Sequence, residues 1–213
     1  MVFTIPTNLA PETYPMAWLV DDWRGAGILA YEGVEAAAFL HELRIDNDNG
    51  GPYLRVVSDI WLAQEPVAAI DQERPGGVQY RMLTKGQLWS SLVGYLRVSP
   101  EHAEGKNGQY ILEGTVAQPT GHAMTLAGAI QGPRFQFVAD AIAATPTAQR
   151  YEAGRITGGY VESELFFAYE MAAFGQELRD YMSARLQRVG DIPGFTAKTG
   201  EAVETEDGNG TEK

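Results

Sequence analysis

The sequence predicts an all-β protein: one antiparallel barrel of about ten strands, with a short helical turn before it and a helix after it. Three observations carry this. From Trp23 to about Leu186, short segments alternate polar and apolar side chains. Turn-forming clusters separate them: Asn47-Asp48-Asn49-Gly50-Gly51, Gly76-Gly77, Lys106-Asn107-Gly108, Pro119-Thr120-Gly121 and Gly132-Pro133. Several strands are mixed on both faces. Tyr110, Leu112, Gly114 and Val116 alternate with Ile111, Glu113, Thr115 and Ala117, where a sandwich would keep one face dry. A barrel with a partly hydrated interior tolerates that pattern.

In chain order, Met1 to Thr13 is an extension with Pro6 and Pro11 and no basic residue, unlike a signal peptide. Pro15 to Val20 reads as one helical turn before Asp21-Asp22. Strands are expected near 23–32, 36–46, 53–62, 78–86, 89–98, 109–118, 122–131, 134–144, 149–160 and 162–173. The last element reads as a helix. Leu178, Tyr181, Met182, Leu186 and Val189 recur at helical spacing, Glu177 opens it, and Arg185 and Arg188 close it before Gly190 and Pro193. The barrel domain is therefore expected over 14–189. From 190 to 213 the chain lacks apolar periodicity and reads as an acidic disordered tail.

Composition narrows the function. The net charge is −12; from Gly190 onward six acids and two lysines contribute −4, leaving −8 on the body. This disfavours nucleic acid and anionic membranes, and no Lys/Arg cluster offsets it. No stretch is long and apolar enough for a membrane helix, so the expected place is the cytoplasm. The absence of cysteine rules out disulfides, thiolate catalysis and Cys-type metal sites. His41, His102 and His122 are too scattered to form a metal site by spacing, and no Gly-x-Ser-x-Gly supports a serine hydrolase.

Asp21-Asp22-Trp23-Arg24-Gly25-Ala26-Gly27 is similar to the Gly-x-Trp-x-Gly-x-Gly opening of the nitrobindin family, with Asp21 in place of the first glycine. Gly94-Tyr95-Leu96-Arg97, Pro119-Thr120-Gly121, Thr145-Pro146-Thr147-Ala148 and Met171-Ala172-Ala173-Phe174-Gly175-Gln176 extend the resemblance from about Pro15 to Val189. It implies a ten-stranded barrel like that of fatty-acid-binding proteins, with an internal pocket. Well-studied members hold ferric haem through a histidine, react with nitric oxide and isomerise peroxynitrite to nitrate. Counted from Gly175-Gln176, Tyr181 stands where that histidine is expected. Gly33 stands at a pocket threonine, and Ser90-Ser91-Leu92-Val93-Gly94 at a His-Arg-Glu-Thr-Gly run. The family's scaffold is retained, while the departures fall on its haem side.

Trp23 with Gly25 and Gly27 reads as a device that closes the barrel rather than as a ligand gate. Tyr181 is either a tyrosinate ligand to ferric haem, helped by Arg185 one helical turn away, or a packed aromatic. His41, beside Phe39 and Leu43, is a pocket-facing group or a satisfied wall histidine. Arg155, in mid-strand, is an internal anion contact or a structural salt bridge. Tyr95, Tyr110, Phe135, Phe137, Phe167 and Tyr169 are the large candidates for a pocket lining. Arg150-Tyr151 and Arg179-Asp180-Tyr181 lack the geometry of the carboxylate-binding Arg-x-Tyr pair of fatty-acid-binding proteins. The resulting expectation is a non-enzymatic barrel for a small hydrophobic molecule, with no catalytic residue, no metal and no cofactor. The alternative is a haem b protein acting on peroxynitrite through Tyr181. A surface for protein contacts is a third reading, and a homodimer stays open.

Overall fold

The computed structural model describes residues 8–47, 50–102 and 106–195, with the backbone alone for His102. Ten antiparallel strands form a closed ring: β1 (Asp21–Tyr31), β2 (Val34–Asp46), β3 (Leu54–Ala63), β4 (Lys85–Val98), β5 (Gln109–Gln118), β6 (His122–Gln131), β7 (Arg134–Ala144), β8 (Tyr151–Val161), β9 (Glu164–Ala173) and β10 (Arg179–Arg188). Each strand pairs with its sequence neighbour, and β1 meets β10 to complete the circle. Closure gives every strand a partner on both sides, although β7 and β8 pair over only part of their length. β1 and β10 approach closely because Gly25 and Gly27 lack side chains. A Cβ at Gly25 would lie 1.9 Å from the carbonyl oxygen of Arg185, and one at Gly27 2.1 Å from that of Ser183.

Two expected elements are corrected. The strand expected over 78–86 is instead the helix α1 (Gly76–Met82) followed by the start of β4. Its buried residues are Gly76, Gly77, Gln79 and Tyr80, a helical spacing. Distant partners select that shape. The Gly76 N–H donates to Glu164 Oε1 at 2.6 Å, and the Tyr80 hydroxyl donates to Glu42. The Gln79 side chain accepts from the Asp71 N–H and donates to the Arg74 carbonyl.

The expected C-terminal helix is the closing strand β10. Met182, Ala184 and Leu186 alternate inward, opposite Leu29, Gly27 and Gly25 of β1. The open edges of β1 and β9 offer a full ladder of hydrogen bonds, which outweighs the chance helical spacing of Leu178, Tyr181 and Leu186. The strand count thus matches ten although one of the expected ten is a helix.

The helical turn before the barrel is a 3-10 helix over Pro11–Leu19. It plugs one end of the barrel. Trp18 packs on Phe135 and Tyr160, and the Leu19 carbonyl accepts from Trp23 Nε1 at 2.9 Å. Below this plug the interior is dry: Trp23, Leu54, Leu112, Ile130 and Leu186 are at most 1% exposed. After β10 the chain makes a 3-10 turn (Val189–Asp191), buries Ile192, and sets Phe195 against Tyr80. Residues 196–213 of the expected acidic tail, and 1–7 of the expected extension, lie outside the described residues.

Candidate functional site

The barrel is plugged at the Trp23 end, and towards the other end its inward positions are less deeply buried. Alternate residues of paired strands face the lumen together. Near the unplugged end these include Leu92, Val116, Leu126, Ile156, Tyr169 and Tyr181, all only half-buried. They are wall positions, so their exposure is to the lumen and its mouth. The wall also parts there. β7 and β8 pair only from Arg134–Val138 to Arg155–Gly159, and beyond Val138 the two strands separate.

Aromatic residues gather at this mouth. A register irregularity between Asp180 and Met182 in the β9–β10 pairing turns Tyr181 towards the interior. Its ring meets Tyr31 edge-on at 5.8 Å and Tyr169 at 5.8 Å. Its hydroxyl accepts from Trp89 Nε1. The Tyr151 and Tyr169 hydroxyls bond each other. Gly154 makes room for that pair, because a Cβ there would lie 1.9 Å from the Tyr151 oxygen. The Tyr31 hydroxyl donates to the Met171 carbonyl at 3.1 Å and accepts from the Ala173 N–H at 3.1 Å, pinning the end of β1 to the end of β9.

Burial raises the pKa of Tyr181, against the opposing pull of the Trp89 hydrogen bond. Burial raises Tyr151 and Tyr169 as well, and the Tyr151 hydroxyl adds to the rise at Tyr169. These phenols are neutral at physiological pH. Arg185 does not help Tyr181 to ionise. On a strand it points outward, pairs with the buried Glu164, and lies over Phe166 at 5.0 Å.

Deeper in the lumen, His41 Nε2 bonds Ser58 Oγ at 2.7 Å, and the imidazole meets Phe167 edge-on at 5.2 Å. Its Nδ1 is buried and has no hydrogen-bond partner. Burial first, and the Arg24 charge second, push its pKa down to about 3, so the ring is neutral. His41 is thus a wall residue satisfied at one nitrogen. His122, at the rim, has both nitrogens engaged: Nε2–H donates to the Gln149 carbonyl at 2.9 Å, and Nδ1 accepts from Thr120 at 3.1 Å.

The other candidates separate. Trp23 seals the closed end, with Arg188 over its ring at 4.5 Å. Phe167 lines the lumen wall. Tyr110 faces inward but lies near the plug, opposite Ile130 and packed on the dry core. Arg155 forms a two-point ion pair with Glu170 on the outer face, so the internal anion contact is replaced by the salt bridge. Tyr95 also points outward. Its ring meets that of Tyr53 edge-on at 5.4 Å and, with Val93, Ala117 and Ala143, it lines an outer groove of about 760 Å³. Sequence reasoning missed Tyr31, Ser58, Trp89 and Tyr151. Tyr31 was within reach, since it continues the period-two series from Trp23 through Leu29. Among the described residues, no group of His, Asp or Glu side chains is placed to hold a metal ion, and no helix is long and apolar enough to cross a membrane.

Comparisons with known proteins agree with this architecture. Residues 12–188 match the model of the THAP4-like, heme-binding beta-barrel domain. A ferric nitrobindin-like protein of Beutenbergia cavernae is 34% identical, across 89% of this chain and 100% of its own length. A peroxynitrite isomerase of Leifsonia xyli is 29% identical, across 86% of this chain and 98% of its own. The crystal structure of Rv2717c from M. tuberculosis superposes with a TM-score of 0.63 at 24% identity, covering 84% of this chain and 98% of that one, a likeness of fold.

Proposed function

The chain belongs to the THAP4-like haem-binding β-barrel (nitrobindin) family, and from that premise we propose that it binds a small apolar molecule in the unplugged half of its lumen, with no protein bond to a haem iron. The observation that carries this reading is the half-buried wall of Leu92, Val116, Leu126 and Ile156 above a dry, plugged base. A filled barrel would bury these side chains as deeply as Leu54 or Leu112. An apolar guest covering them gains about 25 cal/mol for each Å² removed from water. The rings of Tyr31, Tyr169, Tyr181 and Trp89 supply flat contact at the mouth.

The residues present do not fit a haem ligated by this chain. An axial ligand must offer a free lone pair on an aromatic nitrogen or a phenolate. Tyr181 stands at the family's ligand position, but its phenol is held neutral by burial, bonded to Trp89, and far from the charge of Arg185. His122 is fully engaged, and His41 is bonded to Ser58 at Nε2 while its unpartnered Nδ1 is shut inside the wall with no access to an iron. On this reading the family's container persists without its iron anchor, and the isomerase chemistry of relatives is not carried over.

Titration with ferric haem, followed by absorption, tests the proposal. No saturable Soret shift is expected in the native protein, while Tyr181→His gains one. Native mass spectrometry of the gently isolated chain is expected to show a small non-haem adduct. A saturable one-to-one Soret shift in the native chain would overturn the reading in favour of a Tyr181-ligated haem protein.

A further inference from the structure

We propose that the lumen selects uncharged aromatic molecules and rejects organic anions, an inference that rests on the binding role above. The argument comes from the charges that the fold places on the wall and at the mouth. Among the described residues, the ionised side chains at inward positions of the ten strands sit at its two ends: Arg179 at the rim, tied to Glu32, and at the base Asp21 and its partner Arg188. Arg188 lies at the sealed end, stacked on Trp23 and Tyr160 and paired with Asp21 at 2.7 Å. Between the two ends the wall is aliphatic and aromatic, with His41 neutral and the hydroxyls of Ser58, Ser90, Tyr169 and Tyr181. No lysine or arginine there can receive a carboxylate, a sulfonate or a phosphate. An anion moved into such a wall loses its hydration and finds no counter-charge, whereas a neutral ring loses little.

The mouth repeats the same preference. Around the ends of β1, β2, β8 and β10 it carries Glu32, Glu35, Glu152, Glu177 and Asp180, and the arginines there are spoken for: Arg179 pairs with Glu32 and Arg150 with Glu152. Carboxylates outnumber cations among these residues. This field slows the approach of anions and leaves neutral guests unaffected. The hydroxyl pair of Tyr151 and Tyr169 and the Trp89–Tyr181 pair supply polarity suited to a carbonyl or hydroxyl on the guest. A guest of this kind needs no fixed charge to be oriented.

Two dyes with one ring skeleton separate the alternatives: N-phenyl-1-naphthylamine, which is neutral, and 8-anilino-1-naphthalenesulfonate, which adds a sulfonate. Fluorescence titration of the full chain is expected to give saturable binding of the neutral dye, and binding of the sulfonate weaker by tenfold or more. Leu92→Trp and, separately, Leu126→Phe fill the lumen from inside and are expected to abolish binding of the neutral dye. Circular dichroism and a sharp thermal transition establish that each variant is folded. Ser90→Lys adds a wall cation and is expected to improve sulfonate binding by tenfold or more. Equal or tighter binding of the sulfonate to the native chain would overturn the selectivity while leaving the lumen site standing. Neutral-dye binding that survives both filling variants, or no binding of either dye, would remove the lumen site and this inference with it.

Discussion

Lowering the pH should destabilise this protein through His41. The imidazole is buried, is bonded at Nε2 to Ser58, and has its pKa pushed down from 6.5 to about 3 by burial and by Arg24. The folded state therefore keeps it neutral, while the unfolded chain takes up a proton near pH 6.5. Between those two values the unfolded state binds more protons, so stability falls as the pH falls. Above pH 6.5 this contribution is flat. One proton corresponds to about 1.4 kcal/mol per pH unit in the linear region, so the step from pH 7 to pH 5 costs about 2 kcal/mol. The ceiling, reached below pH 3, is about 5 kcal/mol. For a domain stable by roughly 5–15 kcal/mol this is a large fraction. Urea denaturation at pH 7 and pH 5, on the native protein and on His41→Gln, isolates the term. Carboxylates titrate in both proteins, and the imidazole in one. The native protein is expected to lose about 2 kcal/mol more than the variant over that interval. Parallel profiles, or a ring titration near pH 6.5 by NMR, would refute the buried neutral histidine.

Gly25→Ala should destabilise the barrel by about 2–3 kcal/mol in urea unfolding, because its Cβ would meet the Arg185 backbone, which has no rotamer to yield. Gly108→Ala, with open space around it and a φ of 74°, should cost about 1 kcal/mol by backbone strain alone. Equal losses would argue against close β1–β10 approach as the reason for Gly25. Spectrophotometric titration of the tyrosines should leave several phenols un-ionised beyond pH 10, since burial raises Tyr151, Tyr169 and Tyr181. Tyr181→Phe should remove one of these and shift Trp89 emission, because the indole N–H loses its acceptor. Full ionisation at pH 10 would contradict the packed tyrosine cluster.

Much of the fold was legible because strand periodicity and turn chemistry are local. The run from Tyr110 to Ala117 alternates whatever surrounds it, and Gly121 and Gly132 adopt positive φ at turns that their neighbours announce. The closing strand was not legible. Residues 179–188 carry apolar side chains at both helical and strand spacings, and the choice was made by the unsatisfied edges of β1 and β9. Likewise Val78 to Met82 alternates like a strand, yet Glu164, which lies 88 positions from Gly76, holds it as a helix. Tyr181 was found by counting, but its neighbours were not, because a helix would have put Arg185 beside it and a strand puts Tyr31, Tyr169 and Trp89 there.

The sequence by itself determined that the chain alternates in short antiparallel strands and that glycines sit where a barrel must close. Only the tertiary structure decided which face of each strand became the lumen. Alternation says that Tyr95 and Leu96 point apart; it does not say that Leu96 looks in and Tyr95 looks out. That assignment belongs to the closed ring, because inside and outside exist only once β10 has met β1.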